Sequence, residues 1–242
     1  MAGLAAFAYY DLGAGAHASA PPNPTSYYGT LGTASETASA SFWSWPPGGP
    51  SLVFAEGLDS PALLGPAVNA THLGTVPCAP TQISTPIGSP PAFTGDVTSG
   101  LAQEWLYAFL ATGNALVIIA VAGGNSAVVA TTPTNGACYN GPGAFTVLPV
   151  DSTDAAGTAG ATATSASFFT NATAASAAVS AEFFLAPPGY VPSAPKADPA
   201  WVVTDTTCLL YGGSATSGST LTSIVNAGTG ALISQKATSV TC

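Results

Sequence analysis

Residues Trp105–Ala122 read WLYAFLATGNALVIIAVA, an apolar stretch that approaches the roughly 20 residues needed for a membrane-spanning helix. Gly113-Asn114 interrupts the stretch, and no lysine or arginine flanks it to fix an orientation. Its second half, Ala115–Ala122, is rich in β-branched residues, which is typical of a buried strand. The stretch therefore predicts a strand inside a β-rich protein and no membrane span.

Proline and glycine interrupt the rest of the chain at intervals that suit strands of about five to eight residues. The candidate strands are Ser41–Trp45, Leu52–Ala55, Ala115–Ala122, Ala127–Thr132, Ala144–Val150, Ala178–Leu185, Trp201–Thr206, Thr220–Val225, Ala231–Ser234 and Thr238–Thr241. One helix is expected, capped by Thr98 or Ser99, running to Leu110 and stopped by Gly113. The low-complexity tract Asp151–Ser180 is interpreted as a long loop, and no internal repeat is evident at a fixed period.

These patterns predict an all-β fold, an antiparallel β-sandwich or jelly-roll-like domain with Pro/Gly-rich loops and at most one short helix. The sandwich domain is assigned to residues 21–242, after an N-terminal segment of residues 1–20. The proline-rich stretch 187–199 marks a candidate minor boundary inside that domain.

The N-terminal segment contains the apolar run Leu4–Tyr10, which places Phe7 and Tyr9 on one face if the chain is extended there. It could be an ordinary first strand of the domain. It could also be an inter-subunit strand, through Leu4, Phe7 and Tyr9, that adds to the open sheet of a neighbouring copy.

Charge is scarce in this chain. Two lysines and no arginine oppose 11 acids, the net charge is -9, and 5% of residues are charged where about a quarter is usual. Such a surface cannot neutralise a phosphate backbone, so no nucleic-acid partner is expected, and anionic lipid would repel it. Because 47% of the residues are hydrophobic and few charges keep copies apart, we expect a homopolymer of the same chain.

The four cysteines, Cys78, Cys138, Cys208 and Cys242, form no C-x-x-C pair of the kind that a structural zinc site uses. Disulfides are the preferred interpretation, with Cys78–Cys138 and Cys208–Cys242 favoured among three connectivities. They would indicate an oxidising exterior or a hyperthermophile interior. The alternative is four buried free thiols in a cytosolic protein.

Two sequons, at Asn69 and Asn171, match the N-x-[ST] pattern for N-linked glycans. Accidental matches are also expected in a chain this rich in threonine and serine. Together with the cysteines, the sequons favour an extracellular or cell-surface location.

Acidic side chains are the one plausible source of catalytic groups, because the two histidines lie near no G-x-S-x-G motif. The close pairs are Glu56 with Asp59 and Asp151 with Asp154. The second pair could also supply oxygen ligands to calcium, although it lacks the alternation of an EF-hand loop. Turn-capping or solvated acids are the simpler interpretation of both pairs.

Gln103 and Glu182 could be imagined as a glutamine–glutamate pair like that of glutamic peptidases, but no motif supports it. The sequence therefore predicts no catalytic, cofactor-binding or metal-binding residue and no cofactor.

In composition the chain resembles secreted surface-filament subunits and some capsid proteins of thermophilic archaea, which are poor in charge, rich in Thr, Ser and Ala, and β-built. No motif carries this resemblance, so no residue role is transferred from it. The expected function is a structural subunit, and not an enzyme, that self-assembles into an extracellular filament or pilus-like fibre on a thermophile surface. The alternatives are a virion capsid subunit and a secreted acid-active hydrolase or carbohydrate-binding module.

Overall fold

The computed structural model describes residues 24–41, 44–58, 99–122, 124–131, 145, 148–175, 177, 179–207 and 218–241. They form three helices, α1 (Tyr27–Ala40), α2 (Ser152–Gly160) and α3 (Ala163–Ala174). The eight strands are β1 (Ser51–Leu58), β2 (Glu104–Leu110), β3 (Leu116–Ala122), β4 (Asn125–Thr131), β5 (Ser180–Ala186), β6 (Ala200–Thr206), β7 (Gly218–Asn226) and β8 (Leu232–Val240).

The eight strands form one antiparallel sheet in the order β4-β3-β2-β1-β5-β6-β7-β8. Strands β1–β4 and β5–β8 are therefore two halves, each a run of neighbours in chain order, and the halves meet where β1 pairs with β5. Helix α1 precedes the first half and packs on β2, β3 and β4, while α2 precedes the second half and packs on β6, β7 and β8. The topology is thus duplicated, although the sequence shows no repeat.

Side chains alternate between the two faces of each strand, and those that point toward the helices form the core there. Trp105, Tyr107 and Phe109 project from β2 toward this side and are at most 2% exposed. The Tyr27 ring of α1 lies edge-on against Trp105 and against Trp201 of β6, with centroids 6.0 and 5.4 Å apart. Aromatic side chains from both halves therefore form one cluster.

The two halves are also joined at their helix termini. The Tyr27 N–H donates to the Ser152 hydroxyl at 3.0 Å, and the Tyr28 N–H donates to Asp151 Oδ1 at 2.9 Å. Asp151 and Ser152 begin α2, so the start of α2 supplies acceptors for two amides that α1 leaves without intrahelical partners. This capping role agrees with the simpler interpretation of Asp151.

The opposite face of the sheet is apolar along much of its central strands. Leu106, Ile118 and Phe184 are at most 2% exposed there, and Val191 and Ala194 from the connection between β5 and β6 join them. The sheet is therefore buried on both faces near its middle.

The expected helix from residue 98 to Leu110 is wrong, because Glu104–Leu110 forms β2 and pairs with β3 as a hairpin. Gly113 and Asn114 both take positive φ, 80° and 57°, as a tight turn between strands requires. These two residues stop no helix; they reverse the chain. The period-two aromatics of β2 were the signal that favoured a strand.

The expected loop over Asp151–Ser180 contains α2 and α3, so the limit of one short helix is also wrong. The tract is rich in alanine, which has the highest helix propensity. The side chains of Ala155, Ala156 and Ala159 are buried in α2. Thr162 caps α3 by accepting a hydrogen bond from the Ser165 N–H at 3.0 Å.

The expectation of a β-rich antiparallel protein is confirmed. Strands β1 and β3–β8 overlap predicted stretches, with Ala231–Ser234 and Thr238–Thr241 merged into β8, whereas the described residues of Ser41–Trp45 and Ala144–Val150 lie in no strand. The residues that the structure describes form one sheet, and a second sheet of a sandwich is not seen among them. None of their helices is long and apolar enough to cross a membrane.

Candidate functional site

Strand β8 is one edge of the open sheet. It runs for nine residues without proline, and Ser234, Lys236 and Thr238 on it are exposed. In the part of the chain that the structure describes, β7 is the only strand paired with it. An edge of this length offers a row of backbone donors and acceptors to another strand.

Strand β4 is the other edge and differs from β8. Its pairing with β3 shifts register between Ile118 and Ile119, as the β7–β8 pairing does between Ile224 and Val225, but unlike β8 it contains no charged residue. Ser126 of β4 is held by a hydrogen bond of 2.5 Å between its hydroxyl and that of Thr37 in α1. Val128 is 37% exposed.

A groove of about 1100 Å³ lies beside β8, between α3 and the ends of β7 and β8. Among the described residues, its lining carries hydroxyl, amide and apolar groups and no charged side chain. Phe168 and Ala172 form buried parts of its wall, while Thr238 and Ser239 belong to β8 itself. Apart from Lys236 of β8, the described residues of the edge and the groove are uncharged.

Asn171 of the second sequon lies on α3, is exposed and lines this groove. The sequence analysis placed it in a loop, but its backbone is helical, and the Ala175 N–H donates to its carbonyl at 3.0 Å. Glycosylation at Asn171 stays a prediction.

Three glutamates lie on the face of the sheet opposite the helices. Glu104 of β2 and Glu182 of β5 stand in register with the same residue, Leu58 of β1. Glu56 lies two residues before Leu58 on β1 and therefore on the same face. The exposed fractions of Glu56 and Glu104 are 0% and 1%, and Glu182 is half-buried. We call these three residues the glutamate cluster.

Burial controls the chemistry of the glutamate cluster. It raises the pKa of Glu56 well above its ordinary value, and the charge of Glu182 and a hydrogen bond with it raise this pKa further. Burial alone raises the pKa of Glu104. Tyr190, in the connection between β5 and β6, has a pKa raised by burial and by the charge of Glu56. Within the described ranges, no group of three or more His, Cys, Asp or Glu residues could hold a metal ion.

The structure thus places Glu56 beside Glu182 and on the same face of the sheet as Glu104, an arrangement that the sequence did not predict. These residues lie far apart in the chain, and only the strand register brings them together. Of the other acids singled out, Asp154 is exposed on α2 and Asp59 lies outside the described residues.

Most of the predicted site residues cannot be placed. The residues of this group that lie outside the described ranges are Leu4, Phe7, Tyr9, Asn69, Cys78, Cys138, Cys208 and Cys242. The donated strand, the disulfides and the first sequon therefore stay predictions.

No family model, curated protein or solved structure matches this chain. Its function therefore has to be inferred from its own surfaces and side chains.

Proposed function

We propose that the protein is a structural subunit that assembles into an extracellular filament by continuing its sheet from one copy to the next. The observation that carries the proposal is β8, a nine-residue strand without proline at one edge of the open sheet, with six of its nine residues exposed. Main-chain hydrogen bonds along such an edge provide affinity for another strand without any charged group. This mode of association suits a chain with so few charges.

The partner edge is β4 of the next copy. In an antiparallel β8–β8 pair with full overlap, Lys236, the central residue of β8, would stand directly opposite its own copy, and like charges in that position repel. Strand β4 carries no charge and imposes no such repulsion. Pairing between two different edges is heterologous, and heterologous contacts that do not close produce open fibres.

Two alternatives to this open fibre follow from the sequence. The N-terminal run containing Leu4, Phe7 and Tyr9 of a neighbouring copy could be the added strand. If the rotation between copies closes, the same contact gives a ring, and the closed shell of a virion subunit would need a further interface between copies.

A double variant of the edge, Ser234→Lys/Thr238→Lys, tests the proposal. Both residues are exposed, and with Lys236 they would place three positive charges along one strand face. We expect wild-type fibres in electron micrographs of unreduced material and folded monomers for the variant. The matched control, Ala166→Lys/Thr170→Lys, adds the same charge to exposed positions of α3 and should still form fibres. Unchanged fibres in the edge variant would reject assembly through β8.

A secreted acid-active hydrolase is a second candidate, favoured by the buried carboxyl group of Glu56 and by Glu182, which raises the pKa of Glu56. Two carboxyl groups that share a proton are the acid and base of several acid-active hydrolases. Because Glu56 is fully buried, a substrate would have to contact the half-buried Glu182. On peptide and glycan panels at acid pH, Glu182→Gln should then abolish an activity that the exposed control Glu36→Gln retains. No acid-dependent activity in the wild type would remove this candidate.

A further inference from the structure

Strand β8 carries polar side chains on both of its faces. Ser234, Lys236 and Thr238 share one face, while Gln235 and Ser239 share the other, which is turned toward the helices. The register of a strand is specified strongly where one of its faces is buried and weakly where both faces are polar. The pairing of β8 with β7 therefore needs a further contact to fix its register.

The turn between β7 and β8 does not fix the register of the whole strand. In a hairpin the turn usually sets the register of the strands that it joins. Here Ser234 stands opposite Ile224, and Leu232 stands opposite Val225. Ile233 is therefore an extra residue, a bulge between the turn and the rest of β8. Contacts beyond the bulge must set the register of the rest.

Gln235 makes contacts of this kind. Its Nε2 donates to the Ala159 carbonyl of α2 at 2.9 Å and to the Ser223 hydroxyl of β7 at 2.8 Å. Its Oε1 accepts from the hydroxyl of Thr162, the N-cap of α3. Because a carbonyl oxygen can only accept, the contact with Ala159 fixes which end of the carboxamide is the nitrogen. One side chain thus joins β8 to α2, α3 and β7.

These contacts distinguish Gln235 from the rest of β8. In the part of the chain that the structure describes, it is the one β8 residue whose side chain forms hydrogen bonds. A slip of the strand by one residue would turn the carboxamide to the opposite face of the sheet. All three hydrogen bonds would be lost, including the one to Ser223, which is 0% exposed.

We propose that Gln235 is a positioning residue that sets the register of β8 and so determines which backbone groups this edge presents to another copy. The inference rests on the proposed function, because its effect is measured in the fibre. An edge that is already ordered loses less conformational entropy when a strand is added to it. Without Gln235 the edge presents more than one register, and the fibres become fewer and irregular.

Gln235→Met in the full chain tests this role. Methionine is unbranched like glutamine and fills irregular space, but it makes none of the three hydrogen bonds. We expect the variant to fold, to lose regular fibres in electron micrographs, and to exchange the backbone amides of β8 faster than the wild type. The control is Ser152→Ala, which removes a hydrogen bond at the start of α2, away from β8. This control should keep regular fibres.

Gln235→Glu adds a test that depends on pH. A carboxylate cannot donate to the Ala159 carbonyl, whereas a protonated carboxyl group can, so the fold raises the pKa of the introduced group. The contact is therefore present below the ordinary glutamate pKa of about 4.3 and is lost as the pH rises through the raised value. Strand β7 and helix α3 carry no charged side chain, α2 carries Asp154 in its first turn, and Lys236 lies on the opposite face of β8.

Fibres of the Gln235→Glu variant should therefore be regular near pH 4 and lost near pH 7, each counted relative to the wild type at the same pH. Thr170→Glu provides the matched control, because it adds the same charge at an exposed position of α3. It should form fibres like those of the wild type at both pH values.

The outcomes separate this inference from the proposed function. Wild-type fibres together with regular fibres in both Gln235 variants at neutral pH would overturn the inference alone. Loss of fibres in Gln235→Met with unchanged exchange of the β8 amides would also overturn it. Dispersed monomers of the wild type would overturn both proposals. If Gln235→Met does not fold, the pH series of Gln235→Glu decides: recovery of regular fibres at acid pH supports the inference, and a series without recovery overturns it.

Discussion

At the scale of single residues, Gly57 shows how closely the core is packed. A Cβ added there would lie 2.7 Å from the Trp105 indole, so the glycine leaves space for the ring across the β1–β2 ladder. Nothing in the sequence around Gly57 indicated this contact, because it depends on the register of two strands separated by more than 40 residues in the chain.

Gly57→Ala should therefore destabilise the protein by about 1–3 kcal/mol, the usual cost of overpacking a core. Gly32→Ala provides the control, since Gly32 is an exposed residue within α1 with no atom within 4 Å of an added Cβ. The control should gain about 0.5–1 kcal/mol through helix propensity. Chemical unfolding of the two variants measures both effects, and equal stabilities would contradict the packing described for β1 and β2.

The buried acids are a second example, at the scale of single residues, of a contact that the sequence did not show. From the sequence, Glu56 could be recognised as a candidate acid, but its partner was expected to be Asp59, three residues along the chain. The structure places it diagonally across the β1–β5 ladder from Glu182, which stands opposite Leu58 on the same face of the sheet. Such pairs cannot be recognised from the sequence unless the order and register of the strands are known.

At the scale of elements, the stretch Trp105–Ala122 separates what the sequence could predict from what it could not. Its second half was correctly predicted as a strand from its β-branched residues. Its first half was expected to be helical because an N-cap residue, Thr98 or Ser99, preceded it. The segment forms a strand because this conformation buries the alternating side chains of Trp105, Tyr107 and Phe109 in the core under the helices.

Helices α2 and α3 were missed because low complexity was interpreted as irregular structure. A tract of Ala, Thr and Ser can form a helix where its small side chains pack against a sheet, and Ala155, Ala156 and Ala159 do so on α2. The sequence contains the caps but does not show which surface the tract would cover.

The contact between α1 and the start of α2 gives a prediction at this scale. Ser152→Ala leaves the buried Tyr27 N–H without the hydroxyl acceptor, which should cost about 1–2 kcal/mol of unfolding free energy. Ser39→Ala removes an exposed hydroxyl of α1 that donates within its own helix, and should change stability by less than about 0.5 kcal/mol. Thermal or urea unfolding compares the two, and a Ser152 variant as stable as the Ser39 variant would reject the cap.

At the scale of the whole molecule, the prediction of association between copies comes from the few charges and the 47% hydrophobic residues of the sequence. The described residues form an open sheet with two unlike edges. The β-rich antiparallel class could be predicted from the strand patterns. The duplication of the two halves could not, because it is a similarity of connections between elements and not of residues.

Continuing the sheet from β8 of one copy to β4 of the next has a measurable consequence. Eight strands at the usual inter-strand spacing give a subunit repeat of about 38 Å along the strand-stacking direction. Sheet twist would rotate successive copies in one sense and make the fibre helical.

Cryo-electron microscopy of native, unreduced protein therefore tests the central claim most directly. The predicted result is helical fibres with a subunit repeat near 38 Å, in which β8 of each copy is paired with a strand of its neighbour. Dispersed monomers, or assemblies in which the β8 edge faces solvent, would contradict it.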